Sequence, residues 1–220
     1  MILRAVLFDL YDTLIKSSGP KRFAQVSRDM GAALGVDPED FRQLFAQTGR
    51  ERMRGELGTV EETLRTLALR LGSTPTESAI RFAAVMWQRM HHDVLWPTPA
   101  TLSLLDTLRA KRLKLGLVSN ASEESALLWP KQPMAARFRV TVFSCDVGLL
   151  KPDPAIYKVA CTDLRVKPEN CIYVGDNADE ELAGAQSLGM RALRTTEHRD
   201  GPAWAGESIR RLTDLIDLLE

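Results

Sequence analysis

The sequence ILRAVLFDLYDTL, residues 2–14, is an apolar stretch that breaks abruptly into carboxylate and hydroxyl side chains. Positions 2–8 are mostly aliphatic, which is typical of a strand buried on both faces of a parallel sheet. Asp9 follows at once, so such a strand would carry a carboxylate to the carboxyl edge of the sheet, where ligands bind in open α/β folds. The stretch therefore predicts a buried parallel strand with a functional side chain at its end.

Three later segments repeat this pattern of an apolar run followed by polar side chains. They are LVSN at 117–120, KPDP at 151–154 and VGDNADEE at 174–181. An early Asp followed by Ser, Lys and Asp in three later loops would assemble one pocket at one edge of a sheet. The ordered set predicts a site that handles phosphate.

The second half of the chain alternates amphipathic helices with short apolar strands. The pattern predicts helices near 99–111, 154–163, 178–188 and 206–219, and strands at 113–118, 139–143, 171–174 and 190–194. Strands that alternate with helices in this way are typical of a doubly wound α/β sheet.

The residues between the first two strands have a helical texture instead. Three helix starts are marked by capping residues: Asp37 before Pro38, Thr59 with Glu62, and Thr74-Pro75 with Glu77. The simplest organisation is an α/β core of residues 1–15 and 97–220, with a helical lobe of residues 16–96 inserted after the first strand. Gly19-Pro20 and Pro97 suit the two connections between them.

Composition narrows the class of partner. The 220 residues contain 29 Lys and Arg against 29 Asp and Glu, so no net field attracts nucleic acid or an anionic membrane. No apolar run approaches the ~20 residues of a membrane helix. The three cysteines lack the spacing of a metal or redox site. We expect a cytoplasmic protein with a small-molecule partner; the sequence predicts no oligomeric state.

The polar residues of the four segments suit complementary chemical roles. Asp9 at a strand end could act as a nucleophile. Ser119 and Asn120 offer a hydroxyl and an amide to an oxyanion, and Lys151 lies just before a helix N-terminus, which favours anions. Taken singly, each also fits an ordinary turn or a surface position.

Two further carboxylates, Asp176 and Glu181, follow a strand and occupy the first turn of a helix. Such groups suit the helix dipole and can also collect a divalent cation. Facing Asp9, they would repel one another without a counter-ion. A hard cation such as Mg²⁺, together with Lys151, would relieve that repulsion and polarise a phosphoryl oxygen.

The four segments FDLYDTL, LVSN, KPDP and VGDNADEE resemble the motifs of the haloacid dehalogenase superfamily, in the branch with a helical cap after the first motif. This resemblance implies an α/β fold with a Rossmann-like doubly wound parallel sheet core and an inserted α-helical cap domain, residues 16–96. It further implies a hydrolase, most simply a phosphatase of a small phosphorylated metabolite, with Mg²⁺ as cofactor. Asp9 would be the nucleophile, and Ser119, Asn120 and Lys151 would bind the phosphate.

The resemblance also assigns the metal site. Asp9, Asp176 and the backbone carbonyl of Tyr11 would hold Mg²⁺. Glu181 stands where Asp is more usual and, with Asn177, is expected beside the metal ligands rather than on the metal.

Tyr11 departs from the phosphatase pattern. Most phosphatases of the superfamily have a second Asp there, which protonates the leaving alcohol. Asp12 is one residue further on, and its side chain should point away. A phosphatase without this acid would favour activated phosphates, since general acid catalysis contributes ~10²–10⁴-fold.

The same substitution keeps two alternatives open. One is a metal-independent 2-haloacid dehalogenase, whose leaving halide needs no proton. The other is a weakly active or non-catalytic binding protein. Dehalogenases of the superfamily use a cap arginine to receive the halide, for which Arg42, Arg50, Arg52 and Arg54 are candidates. For the basic run Arg50, Arg52 and Arg54, however, a solvated face is the simpler interpretation. His91 and His92 are expected to be linker or surface residues.

Overall fold

Six parallel strands form the central sheet in a computed structural model, which describes residues 2–219. They are β1 (Ala5–Phe8), β2 (Lys114–Ser119), β3 (Val140–Phe143), β4 (Cys171–Gly175), β5 (Arg191–Thr195) and β6 (Glu207–Ile209). Their order is β3-β2-β1-β4-β5-β6. The first strand therefore lies in the middle, paired with β2 on one side and β4 on the other.

Ten α-helices accompany the sheet within the described residues. They are α1 (Gly19–Ala33), α2 (Pro38–Gln47), α3 (Gly49–Met53), α4 (Val60–Arg70), α5 (Glu77–Val94), α6 (Pro99–Ala110), α7 (Glu123–Leu128), α8 (Ser144–Val147), α9 (Pro154–Leu164) and α10 (Glu181–Gln186). Among them, none combines the length and the apolar character that crossing a bilayer requires.

Helices cover both faces of the sheet. In β1, Val6 and Phe8 pack into the layer that contains α6, whereas Ala5 and Leu7 pack into the layer that contains α9 and α10. This alternation follows from the two-residue period of a strand, and it explains why the whole of β1 is apolar. The predicted α/β fold with a doubly wound parallel sheet is confirmed.

Helices α1 to α5 form a helical lobe with a hydrophobic cluster of its own. Phe41 and Phe45 on α2 stack with ring centroids 5.7 Å apart, and Trp87 on α5 meets Phe45 edge-on at 4.8 Å. The Asp37 cap and the capping box of Thr59 and Glu62 are present as predicted. The predicted start of α5 is wrong by two residues, because Thr76 rather than Thr74 accepts the N-terminal amide hydrogen bond.

The predicted C-terminal helix at 206–219 is wrong. Residues Glu207–Ile209 instead add β6 to the edge of the sheet, and two short 3-10 turns follow at Leu212–Leu215 and Asp217–Leu219. Ile209, Leu212 and Leu215 are all buried against the core. Their spacing of three residues suits an amphipathic helix as well as 3-10 turns, so the sequence pattern does not distinguish the two. In the structure, the pairing of residues 207–209 with β5 excludes a continuous helix.

Helix α10 packs closely against the loop that carries Lys151. A Cβ added at Gly184 would overlap the backbone carbonyl of Pro152, which a side-chain rotation cannot relieve. We expect Gly184→Ala to lower the free energy of unfolding by about 1–3 kcal/mol despite the better helix propensity of Ala. Urea unfolding would measure this, with Gln186→Ala on the exposed side of α10 as control. Equal stability of the two variants would contradict such close packing.

Candidate active site

The carboxyl edge of the sheet collects the predicted site residues. Asp9 follows β1, Ser119 ends β2, and Asp176 follows β4. Because β1 is hydrogen-bonded to both neighbours, Asp9 lies between the other two side chains, and its N–H donates to Val174 O at 2.9 Å. The sheet order thus brings three distant segments of the sequence to one place.

Lys151 bridges two carboxylates in this site. Its Nζ donates to Asp9 Oδ1 and to Glu181 Oε2, at 2.5 Å in each case. All three side chains are buried, with residue exposures of 3% for Lys151, 6% for Asp9 and 0% for Glu181. The structure therefore brings Asp9 and Lys151 together as predicted, and it places Glu181 on the lysine.

In this bridge of Asp9, Lys151 and Glu181, the effect of the charges on the pKa values is opposite to the effect of burial. Burial alone would lower the pKa of Lys151, but Asp9 and Glu181 outweigh it and raise that pKa, so the amine stays charged. Burial raises the pKa of Asp9, while Lys151 acts in the opposite direction. The ammonium thus supplies the opposite charge that favours the ionised form of a buried carboxylate.

Two tyrosines complete the bridge, and neither was identified from the sequence. Tyr173 on β4 donates its hydroxyl to Glu181 Oε2 at 2.6 Å, and Tyr157 on α9 donates to the Glu181 carbonyl at 2.7 Å. Burial raises the pKa of both hydroxyls, so both remain donors. The sequence signal for each was a Tyr within an apolar segment. Such a Tyr is expected to be buried, and a buried hydroxyl needs a hydrogen-bond partner.

Asn120 holds the main chain of Lys151. Its Oδ1 accepts from Lys151 N at 2.8 Å, and its Nδ2 donates to Lys151 O at 3.2 Å. The side-chain amide, predicted to bind phosphate, is thus engaged in positioning the lysine. Ser119 Oγ, by contrast, is buried and has no hydrogen-bond partner within residues 2–219. It is free to bind a ligand oxygen.

The acidic cluster fits a hard divalent cation. Carboxylate oxygens of Asp9, Asp176 and Glu181 lie within 4.8 Å of one another. Asp176 also raises the pKa of Asp9, which is the repulsion that a cation would relieve. Oxygen donors are what Mg²⁺ prefers, so these three carboxylates could hold such an ion.

Arg199 is a further charged group at this edge that sequence reasoning missed. Its Nε donates to Asp176 Oδ2 at 2.5 Å and lies 3.5 Å from Asp12 Oδ2. Asn177, the neighbour of Asp176, donates its side-chain amide to Ala203 O at 2.9 Å. The loop after β5 therefore contacts the Asp176 turn directly.

The side chains of both candidates for the general acid, Tyr11 and Asp12, are engaged by serines. The Tyr11 hydroxyl pairs with Ser125 Oγ at 2.8 Å, and burial raises its pKa. Asp12 has a left-handed backbone, φ 56°, and its carboxylate accepts from both the N–H and the hydroxyl of Ser17 at 2.9 Å. Asp12 thus makes its contacts within its own loop, as its position in the turn suggested.

A cavity of about 390 Å³ lies between the helical lobe and the core, with Tyr11 and Asn120 in its wall. Of the four candidate arginines, Arg52 alone lines it and is buried, so the prediction of a solvated arginine face is wrong for this residue. His91 also lines the cavity, with Nε2 3.2 Å from Glu124 Oε1. The expectation of a surface position is therefore wrong for His91, whereas His92 is exposed.

The family model for haloacid dehalogenase-like hydrolases matches residues 3–189. The chain belongs to this family. A curated relative, glyceraldehyde 3-phosphate phosphatase of Methanopyrus kandleri, is 28% identical over 204 residues, which cover 88% of this chain and 84% of the relative. The chain is a hydrolase of the haloacid dehalogenase-like family, as the four motifs predicted.

Solved structures of haloacid dehalogenase-like enzymes have the same fold. A 2-haloacid dehalogenase from Pseudomonas syringae is 26% identical, with a TM-score of 0.73 and coverage of 99% of this chain and 98% of its own. An enzyme of this family from Bacteroides thetaiotaomicron, solved with magnesium and inorganic phosphate, is 19% identical, with a TM-score of 0.66 and coverage of 92% and 98%. The second likeness concerns the fold alone.

The contacts of Lys151 with Asp9 and Glu181 lead to a prediction about stability. Lys151→Met would leave Asp9 and Glu181 buried without their cation, and breaking a buried pair on one side costs about 3–5 kcal/mol. We expect a loss of that size in the free energy of unfolding at pH 7, measured with urea. Lys158→Met, at an exposed position on α9, is the control and should change stability little. A Lys151 variant as stable as this control would contradict the bridge.

Proposed function

We propose that the protein is a Mg²⁺-dependent phosphatase that acts on a small phosphorylated metabolite through an aspartyl-phosphate on Asp9. The observation that carries this proposal is the buried contact between Asp9 and Lys151, with Asp176 at the same edge of the sheet. The name of the curated relative from Methanopyrus kandleri supports a phosphatase. The metal-bound neighbour from Bacteroides thetaiotaomicron supports magnesium.

Each side chain has a role in this reaction. An Asp9 carboxylate oxygen attacks phosphorus, the bond to the leaving oxygen breaks, and water then hydrolyses the aspartyl-phosphate. Lys151 and the unpartnered Ser119 hydroxyl bind phosphoryl oxygens, and Asn120 positions Lys151. Bound Mg²⁺, held by Asp9, Asp176 and the Tyr11 carbonyl, would supply positive charge to the phosphoryl group.

The supporting residues and the lobe complete the proposal. Glu181 orients Lys151 from outside the metal ligands, and Asn177 fixes the Asp176 turn through Ala203. The helical lobe, residues 16–96, acts as the cap that covers the core of residues 1–15 and 97–220. His91 on α5 and Glu124 on α7 join the two parts above the cavity.

The first test measures phosphate release from 4-nitrophenyl phosphate with Mg²⁺ and with a chelator. We expect release that depends on the metal and that Asp9→Asn abolishes, because the amide is a poor nucleophile. Asp163→Asn, at an exposed position on α9, is the matched control and should retain the rate. Release by Asp9→Asn at the unmutated rate would exclude Asp9 as nucleophile.

The second test concerns Tyr11. With no acid beside the leaving oxygen, we expect kcat/KM for 4-nitrophenyl phosphate to exceed that for glycerol phosphate by about 10²-fold or more. Tyr11→Asp should narrow this gap by supplying an acid, whereas Tyr11→Phe should not. A gap well below 10²-fold in the unmutated protein would show that the leaving oxygen is protonated from elsewhere.

A 2-haloacid dehalogenase is the second candidate. It is favoured by Tyr11 at the acid position and by the buried Arg52 in the cavity wall, since halide departure needs no proton. Chloride release from 2-chloropropionate in the presence of a chelator would identify this activity. If neither phosphate nor chloride is released, the remaining interpretation is a binding protein on this fold.

A further inference from the structure

The cavity between the lobe and the core has aromatic walls and a polar end. Tyr11, Phe23 and Trp87 are its aromatic lining residues, and Ala46 and Met53 add apolar surface. Its volume of about 390 Å³ falls within the ~300–1,000 Å³ of pockets that hold organic ligands. A triose-sized leaving group would leave much of this apolar surface without contacts, whereas a flat ring would cover it.

Arg52 lines the cavity and leaves most of its hydrogen-bond donors unused. The residue is 8% exposed, and its guanidinium stacks 3.8 Å from the centre of the Phe45 ring. Of five possible N–H donors, one is used within residues 2–219, from Nη2 to Phe45 O at 2.9 Å, and the buried Nε has no partner. A buried cation with so few hydrogen bonds needs an acceptor from outside the chain.

Glu124 does not fill that need. Its Oε1 accepts from Ser122 Oγ at 2.6 Å and faces His91 Nε2 at 3.2 Å, with no hydrogen bond to Arg52 among the described residues. His91 Nδ1 lies 3.1 Å from the Trp87 carbonyl, which can only accept, so Nδ1 carries a proton. Glu124 Oε1 is therefore engaged by groups other than Arg52.

A carboxylate is the acceptor that best fits the free donors of Arg52. The guanidinium is planar and offers paired N–H groups, which the two oxygens of a carboxylate can accept together. Glu124, the acidic residue of the lining, is already held by Ser122 and His91, so a second carboxylate has to come with the ligand.

We propose that the substrate is an aryl phosphomonoester whose ring bears a carboxylate, with the ring between the aromatic walls and the carboxylate on Arg52. This inference rests on the proposed phosphatase function and specifies its substrate class. It also accounts for Tyr11, because a phenol with a pKa near ~10 departs as phenolate without a proton donor.

The reaction balances without a general acid. An Asp9 oxygen forms a bond to phosphorus while the phosphorus–oxygen bond to the ring breaks, and the electron pair leaves on the phenolate. Water then attacks phosphorus, which restores the Asp9 carboxylate and releases inorganic phosphate and one proton. The carboxylate on the ring takes no part in the chemistry and contributes binding only.

The test compares the three isomeric carboxyphenyl phosphates with phenyl phosphate. We expect the best isomer to exceed phenyl phosphate in kcat/KM by about tenfold or more, through a lower KM, since hydrogen bonds to charged groups are among the stronger ones. Arg52→Met should bring this ratio close to one. Arg50→Met, at an exposed position on the same helix α3, should keep the ratio.

A second measurement avoids dependence on a variant that folds poorly. Benzoate and its neutral isostere benzamide are compared as inhibitors of acetyl phosphate hydrolysis by the unmutated protein, and benzoate should bind about tenfold more tightly. Equal inhibition by both, or no preference for any carboxyphenyl phosphate, overturns the inference while acetyl phosphate hydrolysis still supports a phosphatase. No Mg²⁺-dependent hydrolysis of acetyl phosphate or any aryl phosphate overturns the proposed function itself.

Discussion

The buried ammonium of Lys151 is the interaction on which the rest of the site depends. Two carboxylates from different parts of the chain, Asp9 and Glu181, can be buried side by side only because this cation lies between them. The cation is in turn fixed by Asn120, which bonds the lysine main chain on both sides of the residue. The conformation of the Lys151 loop, the packing of α10 and the burial of Asp9 therefore share one electrostatic requirement.

The residue at position 11 connects that centre to the helical lobe. An Asp there would end close to the leaving oxygen, whereas the longer Tyr11 extends to Ser125 on α7 and contacts His91 of the lobe edge-on, with ring centroids 6.3 Å apart. Tyr11 thus places an aromatic wall at the position where an acid would otherwise stand. In the proposed reaction, the missing acid and the preference for flat, acidic leaving groups would both follow from this one side chain.

Much of the fold could be predicted from the sequence because β1, β2 and β4 are buried strands with clear apolar runs. The edge strand β6 was not predictable in this way. Glu207 and Ser208 are exposed, so only Ile209 carries a signal, and the strand exists because β5 offers it an unpaired edge. Pairing between two strands of this kind leaves no signal in the sequence of the added strand itself.

The candidate site likewise contains residues that the sequence could predict and residues that it could not. Asp9 and Asp176 directly follow β1 and β4, and Ser119 ends β2, so topology alone brings these three to one edge. Lys151 lies in the loop between α8 and α9 and contacts Asp9 from there. Arg52, His91 and Glu124 lie on helices of two different parts of the chain, and each resembles a surface residue when read in its own segment. All three are buried in the structure, and His91 of α5 meets Glu124 of α7. If the proposed substrate class is correct, recognition of the leaving group would be encoded in the packing between lobe and core, whereas the proposed chemistry would be encoded in the motifs.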